Sequence, residues 1–182
     1  MNILCILITI AEAISCSMSS IIAFYLGKGK GEVSYKVFYT TIVESGAIQL
    51  MFIFLLVSCS NTVLSVFSTD SSFLNLGKEG LPLFSIAILV SSYHFILSEF
   101  IIIYGNHTFP FYSVLIGKFL GQGLLSYFLV SYMNLRINGI VLSIIIGQLG
   151  INISYIWYIY TYVNFEEGKW GLGIGDWGLG IG

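Results

Sequence analysis

The sequence predicts an all-α, polytopic transmembrane helical bundle of about five spans, and three observations predict it. Of 182 residues, 57% are hydrophobic and only 9% are charged, against roughly 45–50% apolar and about 25% charged in soluble domains. The charges are clustered, which leaves apolar runs of the roughly 20 residues that a helix needs to cross a hydrocarbon core of about 30 Å. Backbone N–H and C=O groups find no water in that core, so each run satisfies itself as a helix.

The first run, 3–26, follows Met1 directly, lacks a basic flank and exceeds the usual apolar region of a signal peptide, so it reads as a true span. The second, 37–67, is too long for one upright crossing. Ser58, Cys59, Ser60 and Asn61 dilute its end, and its last turns are expected to tilt or lie at the interface. The third, fourth and fifth runs, 81–104, 109–132 and 140–163, are separated by polar or Gly-rich punctuation. Lys28, Lys30 and Lys36 fall in the first connection, whereas Lys78 in the second is accompanied by Asp70 and Glu79. The positive-inside rule puts the first connection in the cytoplasm. Alternation then places 70–80 outside, 105–108 inside, 134–138 outside and the C-terminus inside, with Arg136 the one vote against. On this topology the glycosylation triplet Asn106-His107-Thr108 faces the cytoplasm, out of reach of the modifying machinery.

The transmembrane region occupies 1–165, and 166–182 is a low-complexity, repeat-like tail. From Trp170 the tail reads WGLGIGD and then WGLGIG, a seven-residue period without the hydrophobic logic of a helix, strand or coiled coil. Tandem copies of the heptanucleotide GGGATTG translate as Gly-Ile-Gly-Asp-Trp-Gly-Leu in any frame, which matches the tail residue for residue. The expectation is translation into a simple repeat, with no selected function there.

Several function classes are excluded. A net charge of -2 offers no basic field for nucleic acid, so membrane lipid is the expected macroscopic partner. Cys5, Cys16 and Cys59 have no CxxC spacing and suggest neither a disulfide framework nor a zinc site. No HExxH, GxSxG, P-loop or strand-borne GxGxxG is present, so the sequence carries no enzyme signature and no metal or cofactor motif.

The polar residues inside the spans are the candidate pathway. Glu12, Ser15, Cys16, Ser19 and Ala23 recur at three- and four-residue spacing, on one small, polar stripe of the first helix. Small residues favour close packing between membrane helices, with Glu12 near enough to an end of the span to reach water. Alternatively, the stripe lines a cavity with Glu12 as a cation or proton site, since an acid at bilayer depth costs about 2.5–3.5 kcal/mol or more. In the second span Thr41, Glu44, Ser45 and Gln49 form a similar stripe, with Glu44 about two turns beyond the lysine-rich connection. The third carries Ser91, His94 and Ser98 on one face, with Glu99 turned away near the cytoplasmic end. His94 reads either as a proton shuttle or as a hydrogen-bonded packing residue. Lys118 lies about ten residues into the fourth span, beside Gly117, Gly121, Gln122 and Gly123. A close approach or a break of the helix there exposes it to a cavity, unless its long stem snorkels to the interface.

Four stretches, taken in order, resemble the multidrug and toxic compound extrusion (MATE) family, and specifically the second lobe of its two-lobed, twelve-helix fold. AEAISCSMSSIIAFYLGKGK, 11–30, is similar to a helix of that lobe ending in an LGxG-type turn before a basic cytoplasmic loop. VFSTD, 66–70, resembles the turn outside the next helix, and GNHTFP, 105–110, the G-x-T-x-x-P loop, with Thr108 shifted and the usual Arg-Gly pair absent. LRINGIVLSIIIGQ, 135–148, resembles the start of the final helix, with Gly139 in its habitual place. The resemblance covers about 11–160 and implies that the spans correspond to helices eight to twelve of a partial lobe. It further implies antiport of small organic or cationic compounds (xenobiotic efflux), coupled to Na⁺ or H⁺, in the plasma membrane, with a missing first lobe as partner. The family's second-lobe acids lie in helices seven and ten, and Glu99 does not fall at the usual acid position. Two other readings stand beside export: a truncated or pseudogene product that does not transport, and a lipid-linked glycan flippase, for which Lys118 is the one available cation within a span.

Overall fold

A computed structural model describes residues 2–66 and 70–163; the repeat-like tail lies outside them. The regular structure among these residues is helical throughout: α1 (Asn2–Gly27), α2 (Gly31–Ser58), short α3 (Ser60–Ser65), α4 (Ser71–Ile103), α5 (Thr108–Ile116) and α7 (Arg136–Tyr162), with α5 continuing through a π-helical segment (Gly117–Leu124) into α6 (Leu125–Ser131). Among the described residues, five stretches are long and apolar enough to cross a membrane: Ile8–Gly27, Gly31–Ser58, Gly77–Ile103, Thr108–Ser131 and Arg136–Tyr162. The all-α, five-span bundle expected from hydropathy is therefore the fold.

Three boundaries differ from the sequence expectation. The second span is 31–58 rather than 37–67, because the chain breaks at Cys59 and resumes as the separate α3. Lys36 consequently sits inside α2 rather than in a connection. Glu44, expected two turns in, lies at the middle of the 28-residue helix. The stretch 70–80, expected as a connection, is helical from Ser71 onward. The carbonyl of Asp70 accepts from Leu74 N–H at 3.0 Å to start α4, which runs past Pro82 without ending.

The tight turns follow from glycine. At the end of α1, Gly29 sits at φ 71°, its N–H donates to the Leu26 carbonyl at 2.9 Å, and Lys30 N–H donates to the Tyr25 carbonyl at 3.0 Å. Gly105 at φ 88° closes α4 in the same way, with Gly105 N–H on Ile102 and Asn106 N–H on Ile101. Both are Schellman closures, which need a left-handed residue after the helix. Glycine pays no Cβ penalty there.

Helix α4 is the centre of the bundle. It packs on α1 and α2 and also on α7, which in turn packs on the π segment and α6. The fourth span is consequently outermost, and little of it is buried. The main core draws Met18, Ile22 and Leu26 from α1, Phe38 from α2, Ile96, Leu97, Phe100 and Ile101 from α4, and Ile151, Tyr155 and Ile159 from α7. Phe38 stacks on Phe100 with ring centroids 3.9 Å apart. Small hydroxyl residues fill the closest approaches. Ser15, Ser34, Ser45, Ser92 and Ser143 are each at most 1% exposed, and a serine hydroxyl can be satisfied on its own helix, as Ser92 Oγ is on the Ile88 carbonyl at 2.8 Å. This is the small-residue packing by which membrane helices associate when hydrophobicity cannot drive them together.

Candidate functional site

The predicted stripe on α1 divides. Ser15 belongs to the buried face with Ala11, Met18 and Ile22, and its hydroxyl donates to the Glu12 carbonyl at 3.1 Å. Glu12 and Cys16 are exposed and Ser19 is half-buried, on the neighbouring strip of the helix. Ser19 Oγ donates to the Cys16 carbonyl at 2.8 Å. In α2 the division repeats. Thr41, Ser45 and Gln49 are buried against the bundle, while Glu44 is exposed. Each stripe thus contains a packing strip and, one residue aside, an exposed acid.

On α4, His94 and Ser98 share a face, as their spacing requires. Together with His107, Pro110 and Tyr155 they line a cavity of about 360 Å³ between α4, α5 and α7. The His94 ring stacks on Tyr155 at 5.5 Å and 20°, and meets Phe95 edge-on at 5.4 Å. Tyr155 is fixed in turn, its hydroxyl donating to the Pro110 carbonyl at 3.2 Å. Ser98 Oγ donates to Phe95 at 3.0 Å. His94 Nδ1 is buried and takes no partner among the described residues. A histidine nitrogen in this state can accept or release a proton, or take a ligand donor. Glu99 is half-buried but does not line this cavity.

Lys118 is exposed near the middle of the Thr108–Ser131 span. Of the two features weighed from the glycines, the close approach occurs, while the helix is distorted without breaking. The chain is π-helical over Gly117–Leu124. A Cβ on Gly121 would stand 2.8 Å from the Gly147 Cα of α7, so the two backbones touch. Gln122 Nε2 donates to Gln148 Oε1 across the same contact at 3.1 Å. Of the seven candidates, then, His94 lines a cavity, Glu12 and Ser19 share an exposed strip, Ser15 is core, and Glu44, Glu99 and Lys118 stand apart.

Sequence reasoning passed over three polar groups on α7. Gln148, Asn152 and Tyr155 recur at four- and three-residue spacing and are all buried. That spacing was the available signal. Asn152 Nδ2 donates to the Val90 carbonyl of α4 at 2.8 Å. Asn106 of the glycosylation triplet is likewise structural, because its Nδ2 donates to Tyr158 Oη at 2.7 Å while its Oδ1 accepts from Phe109 N–H at 2.9 Å. Gly139 lies under Leu129, where a Cβ would stand 3.2 Å from the Leu129 Cβ. The preceding turn holds Asn134 and Arg136 at positive φ, 53° and 48°.

No curated protein matches the sequence. The sequence pattern of the family described as MatE matches residues 1–128, from α1 into the last turns of the fourth span. The 135–148 stretch, compared above with the start of the final helix, lies beyond the matched residues. With more than half of the chain matched in its first four spans, and with those spans folded as a helical membrane bundle, the chain belongs to the MATE family of membrane transporters.

Proposed function

We propose that the protein exports small organic or cationic compounds across the plasma membrane in exchange for Na⁺ or H⁺, working against a second helical lobe, with Glu12 holding the coupling ion. The observation that carries this reading is the exposure of Glu12 on α1. It stands inside the Ile8–Gly27 span with Cys16 exposed and Ser19 half-buried beside it. A carboxylate at that depth facing hydrocarbon is expensive, by about 2.5–3.5 kcal/mol or more near the centre. A hydrated lane removes that cost and supplies the environment an ion needs. The test is Glu12→Gln in a protein carrying both lobes, in vesicles at matched protein levels. Loss of the dependence of efflux on the Na⁺ or H⁺ gradient is expected, and unchanged coupling would reject Glu12.

A second reading places the proton on His94, supported by its unpartnered, buried Nδ1 beside a cavity. In that case His94→Gln abolishes coupling to H⁺ while Glu12→Gln leaves it intact.

A further inference from the structure

Two exposed charges of opposite sign stand at the middle of their spans. Glu44 is the fourteenth of the 28 residues of Gly31–Ser58, and Lys118 the eleventh of the 24 residues of Thr108–Ser131. Both spans start from the same side of the membrane on the topology that the lysines set. At about 1.5 Å per residue, the two positions therefore lie within about 2 Å of one depth, measured from the middle of each span. About 15 Å of hydrocarbon separates that depth from either interface, more than a lysine stem can cross by snorkelling.

Neither charge is answered within the chain. Among the described residues, α2 makes no contact with α5, the π segment or α6, and neither Glu44 nor Lys118 takes a hydrogen bond or an ion pair. Their neighbours form no polar lane like the one beside Glu12. Ile48, Met51 and Leu55 follow Glu44 on its face of α2 at 36, 54 and 49% exposure, and the hydroxyl of Thr40, one turn before it, is spent on the Lys36 carbonyl at 2.8 Å. Phe111 and Leu115, seven and three residues before Lys118, are 63 and 54% exposed. Ionisable groups inside a membrane pair with one another or face a wet cavity. These two stand on apolar outer surface, so a partner has to cover them.

Whatever covers Lys118 must bring an acid to the middle of the bilayer, and whatever covers Glu44 must bring a base. Every copy of this chain carries both, at one depth and inserted with one orientation. We propose that the partner is a second copy of this chain, with Lys118 of one copy paired to Glu44 of the other and the exposed apolar residues packed around the pair. Charge complementarity of this kind fixes the choice and register of a partner, and repetition of one contact between identical chains closes as a dimer or a small ring. The inference does not rest on the export reading, and it leaves Glu12 and its strip free.

The experiment uses the full chain reconstituted in phosphatidylcholine vesicles, with donor and acceptor fluorophores carried on separate preparations. Energy transfer is followed as the protein is diluted with lipid. The parent chain shows transfer above the level of random proximity, with a defined protein-to-lipid ratio at half-association. Glu44→Lys alone and Lys118→Glu alone each raise that ratio about tenfold, the scale of one charge-assisted hydrogen bond. Mixing the two variants restores the parent value, because each supplies the charge that the other lacks, and a folding defect could not be repaired in this way. Random-proximity transfer in the parent would leave these faces to lipid or to a different protein and would overturn the proposal. Single variants that associate like the parent, or a mixture that fails to recover, would overturn it as well. If a charge reversal does not insert, Glu44→Gln and Lys118→Met decide the matter: each is expected to weaken association about tenfold, and parent-like association of both would reject the pair. Transport is not read in this assay, so its outcome is independent of Glu12.

Discussion

Gly121→Ala isolates the energetics of the close backbone contact between the π segment and α7. The added methyl would lie 2.8 Å from the Gly147 Cα and 3.8 Å from its nitrogen. These are backbone atoms, which cannot move aside as a side chain can, so the π segment and α7 must separate. Forcing a group into a packed interface costs about 1–3 kcal/mol. Separation also stretches the 3.1 Å Gln122–Gln148 hydrogen bond, and such bonds between membrane helices average about 0.6 kcal/mol. The expected destabilisation is therefore about 2–4 kcal/mol. Neighbouring glycines calibrate this value. At Gly117 the new methyl meets Cγ1 and Cδ1 of Ile151, a buried β-branched side chain with little rotamer freedom in a helix, so Gly117→Ala should also destabilise, by about 1–3 kcal/mol. At Gly123 the nearest atom is the Lys118 carbonyl at 3.6 Å, an ordinary contact, and Gly123→Ala should stay within about 0.5 kcal/mol of the parent. Denaturant unfolding of the detergent-solubilised chain, followed by circular dichroism, measures all three. Gly121→Ala and Gly147→Ala should also be less than additive, because the first substitution already opens the contact that the second would strain. Equal unfolding midpoints for Gly121→Ala and Gly123→Ala would refute the backbone-contact argument.

At Gly29, φ 71° makes Gly29→Ala destabilising by about 1–2 kcal/mol although nothing lies within 4 Å of the new Cβ; Gly29→Asn should recover part of it, and the same unfolding assay compares them. A reporter inserted after Lys30 should be read in the cytoplasm and one inserted after Asp70 outside, as the lysine distribution requires; the opposite pattern would invert every span. Removing 166–182 should leave membrane insertion, expression and unfolding midpoint unchanged, because a seven-residue repeat with no hydrophobic period supplies no core, and a drop in insertion would show that the tail contributes.

The sequence by itself determined that the chain is helical, that it crosses a membrane about five times, and where most of the crossings lie. These properties depend on the length of apolar runs and on the positions of a few charges, which are local quantities. The resemblance of 11–30 and 105–110 to family motifs implied a turn and a loop there, and the glycines around Lys118 signalled a close approach. The sequence did not determine which side of each helix faces protein. Lipid is as apolar as a protein core, so Phe54 at 71% exposure and Phe100 at 0% carry the same residue type and no hydrophobic signal separates them. For the same reason the polar stripes could be read along α1 and α2 but not divided. Only the packing of α1 and α2 in the bundle around α4 assigned Ser15 and Ser45 to the core and left Glu12 and Glu44 exposed. The true start of α2 moved Glu44 to mid-helix because Gly29 closes α1 within two residues and the next helix begins at once. His94 against Tyr155, and Asn152 against Val90, join positions some sixty residues apart. Such pairings come from the rotation and tilt of whole helices against one another, which side-chain packing sets only when all five spans are assembled.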